Sequence, residues 1–199
     1  MSSPRIGVLA LQGAFREHIR AIERCGAETV EIRGRKDLDG LAGLVLPGGE
    51  STVMGKLLEE WKLMEPVRSL CRSGIPVLGT CAGLILLCSE ILGHPEQPRI
   101  GELDAVVRRN AFGRQVDSFV TPLALNPFPG ITGEAALLEA VFIRAPMIER
   151  VGSGVEVLAE VSGKPVAVRQ ENILALSFHP ELTDDLRLHQ WIVNEARKA

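Results

Sequence analysis

Cysteine is scarce in this chain of 199 residues: there are four, Cys25, Cys71, Cys81 and Cys88. None forms a C-x-x-C pair, and no histidine or second cysteine stands at zinc-ligand spacing, so no metal site is expected. So few cysteines in a chain this long also argue against a disulfide framework. Cys25, Cys71 and Cys88 lie in apolar or helical contexts and read as small buried hydrophobes. A basic field is missing too. Lysine and arginine number 22 against 25 acidic residues, the net charge is −3 and the pI is about 5.9. Neither nucleic acid nor an anionic membrane surface is indicated. The short run Arg33, Arg35 and Lys36 reads as a solvated loop. No apolar stretch is long enough to span a bilayer, since Leu84–Leu92 is short and carries Ser89 and Glu90. The segment from Met1 to Leu11 lacks a small-residue cleavage site, so a soluble cytoplasmic protein is expected. No repeat, low-complexity run or linker divides residues 1–199, and 46% hydrophobic with 24% charged residues fits a single globular domain.

What is present is an alternation of short apolar runs with helical patterns. Arg5–Leu11, Glu28–Arg33, Gly43–Leu46 and Ile75–Leu78 read as strands. Between them, Phe15–Cys25 has Phe15, Ile19 and Ile22 at helical spacing and ends at Gly26, and Ser51–Leu63 and Ala82–Ile91 read as helices. This order implies a parallel sheet with helices on both faces. The second half is richer in strands: Glu102–Arg108, Val116–Leu123, Leu138–Ile143, Glu156–Val161, Pro165–Arg169 and Ile173–Phe178. A last helix, Asp184–Arg197, runs from acidic to basic residues, in keeping with the helix dipole.

The strongest chemical signal is Ile75-Pro-Val-Leu-Gly-Thr-Cys81-Ala-Gly83, an apolar strand entering G-x-C-x-G and then an apolar helix. A nucleophile elbow requires this context, with small residues such as Gly79 and Gly83 flanking the strained central position. The turn sets Cys81 at a helix N-terminus, which favours thiolate, and the N–H of Ala82 is placed to donate to a developing oxyanion. The motif alone fits equally a tight turn around a small buried residue. A base shifts the balance. His179, in Ser177-Phe-His-Pro-Glu181, lies just past a strand end, where α/β sheets place their chemistry. Glu181 is positioned to bind the far ring nitrogen and fix the tautomer. The remaining histidines, His18, His94 and His189, read as ordinary surface or packing residues.

A second strand-to-glycine turn, Pro47-Gly-Gly-Glu-Ser-Thr52, lacks the lysine of a phosphate-binding loop. It reads either as a tight turn capped by Ser51 or Thr52, or as backbone that approaches a ligand, with the Gly49 N–H completing an oxyanion hole. Arg109 and Arg144 are candidates for gripping a carboxylate, although most arginines only cover surface.

Taken in order, Leu11-Gln-Gly-Ala14, Pro47–Thr52, Gly79–Gly83, Arg109-Asn-x-Phe-Gly-Arg-Gln-Val-Asp-Ser-Phe119, Val141-Phe-Ile-Arg-Ala-Pro146 and Ser177–Thr183 resemble the class I (triad) glutamine amidotransferases. Among these, they look like the glutaminase subunits of pyridoxal phosphate synthase. The resemblance implies a three-layer α/β/α sandwich of flavodoxin-like type with a mainly parallel central sheet. It implies hydrolysis of L-glutamine to glutamate and ammonia, with no metal or organic cofactor. The ammonia would pass to a barrel-shaped synthase subunit, within a large hetero-oligomer, for vitamin B6 synthesis. The family's nucleophile falls on Cys81 and its base pair on His179 and Glu181. Its glutamine contacts fall on Gly49, Glu50, Ser51, Arg109, Ile143 and Arg144, its oxyanion hole on Gly49 and Ala82, and its interface and activation position on Gln12. Residues 96–99 and 126–138 carry no recognised motif. Two competitors remain: a protease-like or chaperone-like enzyme on the same fold, which His-Pro-Glu near residue 180 disfavours, and a regulatory module without catalysis, which would lack one of the three triad residues.

Overall fold

The computed structural model describes residues 3–109, 118–129, 131 and 137–198. Residues 110–117, most of the Arg109–Phe119 segment and the start of the strand expected from Val116, lie outside the described residues. In chain order the first half comprises Arg5–Leu9 (β1), Phe15–Arg24 (α1), Glu28–Ile32 (β2), Gly43–Leu46 (β3), Ser51–Glu60 (α2), Met64–Arg72 (α3), Val77–Thr80 (β4) and Ala82–Leu87 (α4). Cys88–Ile91 (β5), Leu103–Arg108 (β6), Ser118–Ala124 (β7), Leu137–Ile143 (β8), Met147–Val151 (β9), Glu156–Val161 (β10), Lys164–Gln170 (β11), Ile173–Leu176 (β12) and Arg187–Ala196 (α5) follow.

Among the described residues the central sheet has seven strands in the order β10-β11-β12-β4-β3-β1-β2. From β12 to β2 every neighbouring pair is parallel, and β11 alone runs the other way, antiparallel to both β10 and β12. The parallel part has the order of a flavodoxin-like doubly wound sheet, which opens a crevice at the carboxyl ends of its strands where the winding reverses. The strands β3, β4 and β12 are buried along their whole length, which is why they read as unbroken apolar runs.

Side chains alternate between two cores. Leu44, Leu46, Val77, Ile173 and Ala175 face Leu58, Met64 and Val67 of α2 and α3 together with α4. Ile6, Val8, Val45, Leu78, Leu174 and Leu176 face Ile22 of α1 and Leu188 and Ile192 of α5. The period of two in the strands thus sorts the helices into two outer layers. Two small sheets are added, β5-β6-β9 over the first core and the β7-β8 pair over the second.

Several expectations need correction. Ala82–Ile91 is not one helix: α4 stops at Leu87 and Cys88–Ile91 pairs with β6, Cys88 opposite Leu103 and Ile91 opposite Val107. A short apolar run has no period that separates helix from strand, and pairing with β6 decides. The helix from Ser51 stops at Glu60; Lys62 takes a left-handed φ of 55° and α3 starts anew at Met64. The last helix starts at Arg187, so Asp184 and Asp185 precede it, and its first turn holds no acid. Asp185 instead accepts from the Arg187 backbone N–H (3.0 Å) and guanidinium. Strand β9 was not anticipated, because as an edge strand Met147–Val151 buries only Ile148 and shows little alternation.

The elbow after β4 sits directly against β3. A Cβ added at Gly83 would lie 2.0 Å from the Leu46 carbonyl oxygen, which belongs to backbone and cannot swing away. Gly83→Ala is therefore expected to lose about 1–3 kcal/mol through overpacking, and Tm by several degrees. Differential scanning calorimetry checks this, and an unchanged Tm would mean that the contact does not constrain the fold.

Candidate active site

The segments singled out in the sequence leave consecutive parallel strands at the same edge: Gln12 beyond β1, Gly48–Ser51 after β3, Cys81 after β4 and His179 after β12. Cys81 has φ 47° and ψ −99°, a conformation that L-residues rarely adopt. It is held there from both sides: its N–H donates to the Leu176 carbonyl at 2.8 Å, and its own carbonyl accepts from Ile85 at 3.1 Å. Ala82 is the first residue of α4, so its N–H has no acceptor within the helix. Cys81 Sγ lies 4.0 Å from the Ile143 carbonyl oxygen at the end of β8.

His179 Nδ1 donates to Glu181 Oε1 at 2.7 Å, which leaves Nε2 for the cysteine. Burial alone would lower the His179 pKa. Hydrogen bonds with Cys81 and Glu181 and the charges of both outweigh it and raise the value to about 10. Glu181 is buried, which raises its pKa, yet His18 and His179 together hold it below the ordinary carboxylate range. Burial pushes Cys71 up to about 12 and Cys25 and Cys88 up as well.

The glycine turn packs against the imidazole. A Cβ at Gly48 would lie 2.4 Å from His179 Cε1 and 3.5 Å from Cys81 Cβ. At Gly48 the close approach is therefore to the imidazole. The turn is tied to the β1 loop by the Ala14 N–H donating to the Gly48 carbonyl (2.9 Å) and by the Glu50 N–H donating to Gln12 Oε1 (2.7 Å). Helix α2 is capped by neither Ser51 nor Thr52 but by Glu50, whose carboxylate accepts from the Thr52 N–H at 3.4 Å.

Arg109 reaches the same rim. Its guanidinium donates to Glu50 Oε1 (3.0 Å), Thr52 Oγ1 (2.7 Å) and Gln97 Oε1 (2.7 Å). Gln97 also donates from Nε2 to Ser51 Oγ at 3.1 Å. Ile143 and Arg144 are both exposed, and Arg144 has a left-handed φ of 43°.

Sequence reasoning passed over Gln97, which had no motif. His18 and His189, read as surface or packing residues, are both fully buried, and His18 Nε2 lies 3.3 Å from Glu181 Oε2. The signal was available for His18, which shares the helical spacing of Phe15, Ile19 and Ile22. Among the described residues no group of three or more His, Cys, Asp or Glu side chains is arranged to hold a metal ion, and no helix is long and apolar enough to cross a membrane.

Against known proteins, the profile of the SNO glutamine amidotransferase family matches residues 8–198. The chain is 57% identical to the pyridoxal 5'-phosphate synthase subunit PdxT of Parafrankia sp. (strain EAN1pec), covering 99% of this chain and 95% of that protein. It is 55% identical to the protein of the same name from Thermus thermophilus, covering 96% and 97%. A crystal structure of a glutamine amidotransferase matches with a TM-score of 0.89 and 51% identity over 96% of this chain and 98% of the other. A chain in the structure of PurLQS from Thermotoga maritima shares the fold at TM-score 0.71 with 16% identity, over 99% of each of the two chains.

The raised pKa of His179 makes a prediction about stability. The folded protein holds the imidazole proton more tightly than the unfolded chain, whose value is near 6.5. The stabilisation is therefore complete below about pH 6.5 and is lost as pH climbs towards 10. Comparing wild type with His179→Gln by urea unfolding at pH 6, 8 and 10, the gap in stability should shrink at each step. A gap independent of pH would contradict the assignment.

Proposed function

Because the chain belongs to the SNO glutamine amidotransferase family and is a glutaminase that supplies ammonia for pyridoxal 5'-phosphate synthesis, we propose that Cys81, His179 and Glu181 carry out the hydrolysis. The observation that supports this most is the strained Cys81 elbow at the same strand edge as an imidazole whose Nδ1 is fixed by a buried carboxylate at 2.7 Å. The thiolate of Cys81 attacks the side-chain amide carbon of glutamine. The N–H groups of Gly49 and Ala82 receive the oxyanion, an effect worth about 3–4 kcal/mol per donor in comparable sites. The imidazolium of His179 gives its proton to the departing ammonia. The neutral ring then takes a proton from water, whose hydroxide attacks the glutamyl thioester, releasing glutamate and restoring the thiol. Glu181 keeps Nδ1 protonated throughout and stabilises the imidazolium.

Glutamine is held, on this reading, by the rim residues Gly49, Glu50, Ser51, Arg109, Ile143 and Arg144. Glu50 and Arg109 already pair with each other at the rim, with Glu50 half exposed and Arg109 largely covered. An incoming amino acid, with one ammonium and one carboxylate, offers a charge of the opposite sign to each of them. Gln12 acts as a lever. It holds the Glu50 N–H, so a partner surface that engages the β1 loop would reposition the turn that carries Gly49. That partner is the barrel-shaped synthase subunit of a large hetero-oligomer in the cytoplasm, and ammonia reaches it without entering bulk water.

Cys81→Ala should fold normally and lose glutamate release by at least three orders of magnitude, since no other residue supplies the nucleophile. Glutamate release measured with and without the synthase subunit should rise on its addition. Wild-type hydrolysis by Cys81→Ala would refute the nucleophile. Equal rates with and without the subunit would refute the lever but leave the triad standing.

A further inference from the structure

Behind the triad, on the side away from Cys81, lies a polar chain in an otherwise apolar core. His18 on α1, His189 on α5 and Thr80 at the end of β4 are all fully buried. His18 Nδ1 and His189 Nε2 are 2.9 Å apart, and His18 Nε2 is 3.1 Å from Thr80 Oγ1 and 3.3 Å from Glu181 Oε2. Nothing in the reaction just described uses these groups. Two buried histidines in contact are costly unless their hydrogen bonds are satisfied.

The arrangement has one good solution. Neutral imidazole has one N–H and one lone pair, and ionised carboxylate only accepts. If His189 Nε2–H donates to His18 Nδ1, then His18 carries its proton on Nε2, where it donates to Thr80 Oγ1 and lies 3.3 Å from Glu181 Oε2. Two buried atoms of the cluster are then without a hydrogen-bond partner among the described residues: the His189 Nδ1 lone pair, and Glu181 Oε2, which has the His18 Nε2–H beside it at 3.3 Å. In the opposite arrangement His18 turns a bare lone pair towards a carboxylate oxygen, and His189 buries an unpaired N–H, the rarer defect.

We propose that His18 is a positioning residue of the glutaminase: locked as the Nε2–H tautomer by His189, it holds Glu181 Oε2 so that Oε1 stays aligned with His179. This rests on the triad reading above. It sets a histidine ring nitrogen beside each carboxylate oxygen, His179 at 2.7 Å from Oε1 and His18 at 3.3 Å from Oε2. The groups bearing on His18 are Glu181 and His179 at the site, Glu17 on its own helix and His189 on α5, with Asp185 acting on His189. Burial pushes both His18 and His189 down, His189 to about 3, so both remain neutral where the enzyme works.

The test follows alkylation of Cys81 by iodoacetamide across pH, read by mass spectrometry, in wild type, His18→Leu, His18→Gln, His189→Phe and His179→Ala. Losing the anchor should weaken the thiolate–imidazolium pair. His18→Leu should then move the acid limb up by about one pH unit and slow alkylation at neutral pH about tenfold. Its kcat for glutamate release with the synthase subunit should fall, with KM little changed. His18→Gln keeps a donor at the same place and should restore most of the profile, and His189→Phe should shift it less than His18→Leu. Should His18→Leu not fold, the wild-type protein still decides by nitrogen-15 NMR, where His18 must show the Nε2–H tautomer. An Nδ1–H tautomer, or a wild-type profile in folded His18→Leu, overturns the proposal. If His179→Ala also alkylates as wild type, the triad reading itself fails and the proposal falls with it.

Discussion

The buried carboxylate of Glu181 constrains the site more than any other group. Moving an ion from water into a protein interior costs several kcal/mol even after relaxation, so it persists only where donors surround it. Glu181 is 7% exposed, and its two oxygens face His179 at 2.7 Å and His18 at 3.3 Å. The donors come from distant parts of the chain. His179 follows β12, His18 belongs to α1, and the His189 that backs it belongs to α5. The carboxylate thus ties the helical layer of α1 and α5 to the reacting edge of the sheet. On the proposed reading, the orientation of the His179 ring depends on how that layer packs.

A second constraint is space. The loops after β1, β3, β4 and β12 converge where parallel strands are about 4.8 Å apart, and the turn after β3 brings its backbone against the His179 ring. Gly48 has no room for a side chain because the His179 ring occupies it, and Gly83 has none because β3 occupies it. The glycines of both motifs are therefore explained by contacts within the protein. This bears on how such motifs are read: a glycine turn at a sheet edge signals a close approach, but not by what.

The parallel half of the fold was legible because both faces of the sheet are covered, so β1, β3 and β12 appear as apolar runs between amphipathic helices. The elbow was legible because its chemistry demands small neighbours at fixed spacing. What escaped was set by tertiary pairing. Cys88–Ile91 could have continued α4, and only β6 makes it a strand. Met147–Val151 lies at a sheet edge and lacks a buried stripe. His18 and His189 belong to helices 171 positions apart, and no local pattern brings them together. Gln97 is similar: its importance lies in joining Ser51, Thr52 and Arg109, which meet only in the folded chain.

The elbow shows how the site draws on the rest of the molecule. A non-glycine residue at positive φ stores about 1–3 kcal/mol, a substantial share of the 5–15 kcal/mol that holds a typical domain together. Helix α4, with six residues, is far too short to impose that geometry by itself. Its residues are all buried, and Leu84, Leu86 and Leu87 are fully so, packed with α2, α3 and the first core. The strain at Cys81 is thus sustained by apolar burial on one face of the sheet, while the orientation of Glu181 is sustained by polar contacts on the other. Cys81 and His179, the proposed nucleophile and base, are held from opposite layers and meet only at the strand ends. This explains why a sheet covered on both sides serves the chemistry, and why neither core alone would suffice.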